Sequence, residues 1–96
     1  MQKVTLLFKC QPGMGEALLT AFTTALADTR AYDGCISVET FVDTENPDTI
    51  MLIEEWESRG QQEAYLAWRV ESAMIEMLAP VLAEPFEMHY LEPHLA

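Results

Sequence analysis

The sequence has few basic residues and few cysteines, and each shortage excludes classes of function. Lys and Arg number only 5 against 16 Asp and Glu, a formal net charge of −11. Nucleic-acid phosphates and anionic membranes would repel such a chain, so we expect neither as a partner. The two cysteines, Cys10 and Cys35, lie far apart without a CxxC spacing. This spacing excludes a zinc knuckle and a thioredoxin-type redox motif.

Long apolar runs and familiar catalytic motifs are missing too. No apolar run approaches the ~20 residues that cross a bilayer. The first residues enter a strand pattern without the features of an export signal, so we expect a cytoplasmic protein with reduced thiols. There is no phosphate loop, HExxH motif, nucleophile elbow or carboxylate–histidine cluster at metal spacing. We therefore expect no cofactor and no metal.

What the sequence does contain is the pattern of one α+β domain over residues 1–96. Half of the residues are hydrophobic, which is ample for a core. Alternating apolar residues predict four strands, at 2–10, 35–43, 49–56 and 86–91. Turn residues between the second and third strands predict an antiparallel hairpin.

Helical patterns fill the two long gaps between these strands. Apolar residues at spacings of three and four predict a helix from Met14 to Leu26. Ser58 and Gln61 form a capping box for a second helix, which Pro80 kinks or ends. The order βαββαβ predicts a ferredoxin-like fold, a four-stranded antiparallel sheet with both helices on one face.

Three strands are apolar on both faces, which predicts a homodimer. The segments are 6–8, 50–53 and 88–91. Helices cover only one face of such a sheet, and the other would leave a large apolar patch in water. A second copy packed sheet to sheet would bury that patch.

Several short motifs, in their order along the chain, resemble the antibiotic biosynthesis monooxygenase domain family. They are Pro12-Gly13, Asp33-Gly34-Cys35, Asp43 with Asn46-Pro47, the run from Ile53 to Ser58, and the run from Glu63 to Trp68. The resemblance covers essentially the whole chain. It implies a dimeric α+β barrel with a pocket between sheet and helices. Some members oxidise phenolic or quinol-like aromatics with O2 and no cofactor, and others bind or break down haem.

The same resemblance argues against haem breakdown here. Haem-degrading relatives use a histidine on the helix after the tryptophan and an asparagine on the first strand. This chain has no histidine from Trp68 to Leu82, and its first strand offers Leu6, Leu7 and Phe8 instead.

A cofactor-free oxygenase needs an apolar cavity, an acceptor for the substrate's proton and a donor for the anion. We assign catalytic roles to Trp68, to Arg69 as oxyanion donor and to His89 as base, since histidine titrates near neutral pH. Trp56 and Tyr65 are the candidate substrate-binding residues. Each also has a structural interpretation: the aromatics as core, and His89 on the outside or across the dimer interface. For Arg69 that alternative is a surface ion pair with a nearby glutamate (Glu63, Glu71 or Glu76).

Two functions from different classes remain open. The first is a cofactor-independent monooxygenase that acts on a small hydroxylated aromatic or quinol. The second is a non-catalytic module that binds a small apolar molecule, with haem as one candidate. A polar pair inside the pocket favours the enzyme, and a purely apolar pocket favours binding.

Overall fold

A computed structural model describes residues 1–96 and shows the predicted α+β fold. Its elements, in chain order, are β1 (Gln2–Lys9), α1 (Gly15–Ala31), β2 (Cys35–Asp43), β3 (Asn46–Trp56), α2 (Arg59–Glu71), α3 (Met74–Leu78) and β4 (Glu87–Leu91). The strands form one antiparallel sheet in the order β2-β3-β1-β4. This order places β1 and β3 at the centre, as the ferredoxin-like prediction requires. None of the helices is long and apolar enough to cross a membrane.

The hairpin between β2 and β3 is tighter than predicted. Asp43 pairs with Asn46, so β3 begins at Asn46 and the predicted start at Thr49 is wrong. The reason lies in the neighbouring strand, because β1 pairs with β3 only as far as Thr49. Before that point β3 has a partner on one side alone, and such an edge position tolerates Pro47 without losing a ladder hydrogen bond.

Hydrogen bonds from the turn that follows β1 attach the start of α1 to this hairpin. The carboxylate of Asp48 accepts hydrogen bonds from the backbone N–H groups of Gly13 and Gly15, each at 2.9 Å. These donors hold the pKa of Asp48 below its usual range. A side chain at Gly15 would collide with the carbonyl of Pro47, so the helix can approach the hairpin this closely only with glycine there.

The second helical segment breaks earlier than predicted. The sequence placed the kink or end at Pro80, but α2 ends at Glu71 and a short helix, α3, follows. Between them Ala73 adopts a left-handed conformation with φ of 61°. The capping box at Ser58 is confirmed, since its hydroxyl accepts from the backbone N–H of Gln61 at 3.2 Å.

The core lies between the helices and one face of the sheet, which confirms that both long helices share a face. It is built from alternate residues of the strands and the inner stripe of α1: Val4, Leu6, Phe8, Leu18, Phe22, Leu26, Ile50, Leu52 and Trp56. The other face of the sheet carries no helix. There the apolar side chains Leu7, Met51 and Ile53 are partly buried and Phe41 is 47% exposed. We call this surface the helix-free face.

We expect the protein to form a dimer through the helix-free face, with a mass by light scattering of twice the 10.9 kDa of one chain. Met51 pairs with Leu7 on one side and Phe41 on the other, so it lies amid the apolar patch. A Met51→Glu variant should be monomeric, because an unpaired carboxylate buried at an interface is strongly destabilising. Thr40→Glu, on the opposite face of β2, adds the same charge and should stay dimeric. A wild-type mass of 10.9 kDa would contradict the prediction.

Candidate active site

A cavity of ≈ 50 Å³ lies between the helix-bearing face of the sheet and all three helices. Of its 16 lining residues, 12 are hydrophobic, among them Leu6, Phe8, Phe22, Leu52, Leu78 and Phe86. A cavity of this volume holds only a few water molecules. An aromatic ligand must therefore displace lining side chains, and Met74 of α3 is the most adaptable of them.

The first polar group of the cavity is a network around Arg69 of α2. Nε of Arg69 donates to the hydroxyl of Tyr65 at 2.7 Å, and Nη2 donates to the carbonyl of Ala25 at 2.6 Å and to Oγ1 of Thr29 at 3.2 Å. The hydroxyls of Tyr65 and Thr29 lie 2.6 Å apart. Tyr65 and Arg69 are one helical turn apart, so α2 presents both to α1 and to the cavity.

Arg69 is a buried cation without a carboxylate partner. It is only 7% exposed, and its hydrogen-bond acceptors are all neutral. The predicted alternative, an ion pair with Glu63, Glu71 or Glu76, does not form. The ion pairs of the structure join other residues: Lys3 to Glu55, Lys9 to Glu84 and Arg59 to Glu63. A buried, unpaired charge is costly, so this guanidinium is suited to an anion that arrives with the ligand.

One nitrogen of Arg69 remains available for that anion. Nη1 takes part in none of the hydrogen bonds above, yet the structure has no buried side-chain nitrogen or oxygen without a partner. Nη1 is therefore in contact with accessible space, and Arg69 is one of the residues that line the cavity.

The second polar group is Glu54 of β3, which sequence reasoning missed. Its side chain lines the cavity and the residue is 2% exposed. Oε1 accepts a hydrogen bond from the indole N–H of Trp56 at 2.9 Å. Burial raises the pKa of the Glu54 carboxyl, and the hydrogen bond from Trp56 lowers it by a smaller amount. Oε2 takes part in no hydrogen bond, and since no enclosed side-chain oxygen lacks a partner, it keeps some contact with accessible space.

A third polar group lies between α2 and β4, and of its residues only Gln62 lines the cavity. The hydroxyl of Tyr90 donates to Oε1 of Gln62, whose amide nitrogen lies 3.6 Å from the sulfur of Met88. The guanidinium of Arg59 covers the ring of Tyr90 at 3.9 Å from its centre. Burial raises the pKa of Tyr90, so its hydroxyl stays neutral and acts as a donor.

The structure brings together only some of the predicted site residues. Tyr65 and Arg69 line the cavity as predicted. Trp68 does not line it: it is 36% exposed and stacks on Tyr32 at 5.6 Å between ring centres. Trp56 is fully buried but lies behind Glu54, as a core residue.

His89 lies on the helix-free face, away from the cavity. Its strand neighbours Met88 and Tyr90 point toward the helices, and side chains alternate along β4. His89 pairs with Thr5 and is exposed. The structure therefore does not place His89 at the cavity, and the one carboxyl group that lines it is Glu54.

Comparison with known proteins agrees with the fold described above. A family model described as antibiotic biosynthesis monooxygenase matches residues 1–79. Among solved structures, one antibiotic biosynthesis monooxygenase is 19% identical with a TM-score of 0.86, covering 98% of this chain and 99% of that one. A Deinococcus radiodurans protein, whose name proposes the same activity, is 18% identical with a TM-score of 0.85, covering 100% of this chain and 95% of its own.

A more distant fold match comes from Mycobacterium tuberculosis. That protein is 23% identical with a TM-score of 0.76, and the match covers 97% of this chain and 94% of that one. No curated protein matches the chain. At these identities the structural matches establish the fold alone, and the family model establishes the family.

Proposed function

Because the chain belongs to the antibiotic biosynthesis monooxygenase family, we propose that it oxidises a small hydroxylated aromatic or quinol-like molecule with O2 and without a cofactor. The observation that supports this most is the polar pair inside an otherwise apolar cavity. Arg69 offers an unpaired cation there and Glu54 offers a free carboxyl oxygen. A ligand-binding module for an apolar molecule has no use for either charge, and both are costly to bury.

The proposed reaction needs no external reductant, because the substrate supplies the electrons. A phenol or quinol that has a free ring carbon opposite or next to a hydroxyl reacts with one O2. The hydroxyl loses its proton, the ring anion forms a C–O bond with O2, and a hydroperoxide results. Loss of the proton on that ring carbon together with hydroxide from the peroxide then gives a quinone and one water. One oxygen atom enters the product and the other leaves as water.

The protein's contribution to this chemistry is binding and electrostatics. Removal of the phenolic proton makes the ring electron-rich enough to react with O2, and the Arg69 guanidinium stabilises the resulting oxyanion. Tyr65 and Thr29 hold Arg69 in place through their hydroxyls. The apolar walls keep water from the anion and so strengthen its attraction to the guanidinium.

We expect the purified protein to accelerate O2 consumption with at least one member of a panel of dihydroxynaphthalenes and quinols, measured with an oxygen electrode. One quinone should form for each O2 consumed, because the substrate is the only reductant. A metal chelator should leave the rate unchanged. No acceleration above the uncatalysed rate anywhere in the panel would contradict the proposal.

Ligand titrations in the same experiment decide between enzyme and binding module. Tight binding of a panel compound without O2 consumption would favour a non-catalytic binding module. A Soret band that forms with tight affinity on haem titration would favour haem as its ligand.

A further inference from the structure

We propose that Glu54 is the catalytic base of this oxygenation, taking the proton from the substrate's hydroxyl. The inference rests on the proposed function and adds to it a residue to which the sequence analysis assigned no role. Its basis is geometric: a 2% exposed glutamate lines the cavity, one of its oxygens is fixed by Trp56 and the other has no hydrogen-bond partner within the protein.

In the proposed reaction Glu54 takes up one proton and later returns it, so that atoms and charges balance over the cycle. Its Oε2 accepts the hydroxyl proton, which leaves a phenolate facing Arg69. After O2 has added to the ring carbon, protonated Glu54 returns the proton to the outer oxygen of the peroxide. Loss of the ring-carbon proton and the hydroxide then yields the quinone and water, and Glu54 is again a carboxylate. Electrons move only from the substrate to O2.

Trp56 gives the carboxyl group a fixed orientation. Its indole N–H lies 2.9 Å from Oε1, and its ring is fully buried, so the bond holds the Glu54 side chain against the wall of the cavity. A base fixed in this way is ready to act on a bound hydroxyl without reorganisation. Leu52 and Trp56 share the inward face of β3 with Glu54, so the backbone of a central strand sets its position.

No other group near the cavity suits the role of base. Arg69 and Tyr65 of α2 line the same cavity as Glu54, and the Glu54 charge acts on Tyr90 of β4 and Cys35 of β2, while α1 contributes only a threonine hydroxyl to the lining and α3 only apolar side chains. Burial raises the pKa of both Tyr90 and Cys35, which keeps them neutral. No histidine lines the cavity. Glu54 is thus the only carboxyl group that lines the cavity.

A purely structural role for Glu54 makes a different prediction. If the carboxyl served only to satisfy the indole of Trp56, a glutamine would do the same through its amide oxygen. The Glu54→Gln variant therefore keeps the hydrogen bond and the shape of the side chain while removing the base. It separates the two roles without a change in core volume.

We expect Glu54→Gln to lower kcat by about 10²- to 10⁴-fold, the range typical of a lost general base. Glu55→Gln is the matched control. It makes the same chemical change one residue along, on the helix-free face, where Glu55 is ion-paired with Lys3, and it should keep the wild-type rate. An unchanged kcat in Glu54→Gln would overturn the assignment while leaving the oxygenase activity in place.

The pH profile of kcat/KM gives a second test. The base must be ionised, so activity should fall as the pH drops through the raised pKa of Glu54. In Trp56→Phe the hydrogen bond that lowers this pKa is gone, so the acid limb should move to higher pH. An acid limb at the same pH in wild type and Trp56→Phe would contradict the proposal, because a structural role alone predicts no shift.

A third test does not depend on turnover. The probe is 4-nitrophenol, whose anion absorbs visible light and whose neutral form does not. At a pH above the acid limb of the kcat/KM profile, where Glu54 is ionised, and below the pH at which free 4-nitrophenol ionises, the wild type should bind it with the anion band, and Glu54→Gln should bind it with a much weaker band. Failure to bind, or equal bands, would contradict Glu54 as proton acceptor. Absence of O2 consumption in the wild type would instead count against the proposed function alone.

Discussion

Replacing Arg69 by alanine should lower kcat/KM by about 10- to 100-fold, which corresponds to ~1–3 kcal/mol of transition-state stabilisation. The physical reason is the loss of a charged hydrogen bond to the developing oxyanion inside a cavity that excludes water. Arg69 is 7% exposed and has no carboxylate partner, so its charge is not already neutralised in the free protein. Initial rates of O2 consumption over a range of substrate concentrations measure the effect.

Arg59→Ala is the matched control for this experiment. It removes the same charge from the same helix, but Arg59 lies over the ring of Tyr90 and pairs with Glu63 outside the cavity. Its kcat/KM should stay close to that of the wild type. Arg69→Lys should fall between the two, because lysine keeps the charge but not the forked geometry that bonds Tyr65, Thr29 and Ala25. Equal rates for Arg59→Ala and Arg69→Ala would exclude Arg69 from the reaction.

The alternating pattern of the strands predicted most of this fold because its physical cause is simple. In a strand that buries one face, apolar residues recur at every second position, and in a helix they recur at every third or fourth position. The break at Ala73 could not be predicted in the same way. An alanine in a left-handed conformation carries no glycine or proline signal in the sequence. Pro80 was the visible signal, but it lies beyond α3.

The candidate site was only partly predictable, and the helix shows why. Tyr65 and Arg69 are four residues apart and share a face of α2, whereas Trp68 is turned about 100° from Arg69 and lies outside the cavity. Because the three residues are close in sequence, all were predicted to face the pocket, but the geometry of the helix places Trp68 on a different side. Trp68 still contacts Arg69 directly, because the Arg69 guanidinium lies 4.5 Å above its ring.

Glu54 is the cavity residue that the sequence analysis missed. Glu54 and Glu55 are adjacent, and they differ only in the face of the sheet to which each side chain points. Glu54 shares the core face with Leu52 and Trp56, and Glu55 points to the helix-free face. A carboxylate in phase with a buried tryptophan was a signal available in the sequence. Sequence analysis missed this signal because β3 is apolar on both faces before Glu54. The two adjacent glutamates were therefore interpreted as the exposed polar end of the strand.

Replacing Trp56 by alanine should lower the free energy of unfolding by about 3–5 kcal/mol, the cost of a large cavity in a packed core. Trp56 is fully buried, packs on Tyr65 at 5.1 Å between ring centres and donates to Glu54. The variant therefore loses apolar contacts and also leaves a buried carboxylate without its donor. Against a total stability of about 5–15 kcal/mol for a domain of this kind, such a loss is severe.

Trp68→Ala is the control for Trp56→Ala, because it makes the same substitution at the more exposed tryptophan. Trp68 is 36% exposed and its main aromatic contact is the stacked ring of Tyr32, so its removal should cost about 0.5–1.5 kcal/mol. Urea unfolding is best followed by circular dichroism, because each variant removes one of the 2 tryptophans on which fluorescence depends. A fixed protein concentration keeps any dimer contribution equal across the variants. Equal losses in both variants would show that Trp56 does not anchor the core, and the fixed orientation of Glu54 would then lose its structural basis.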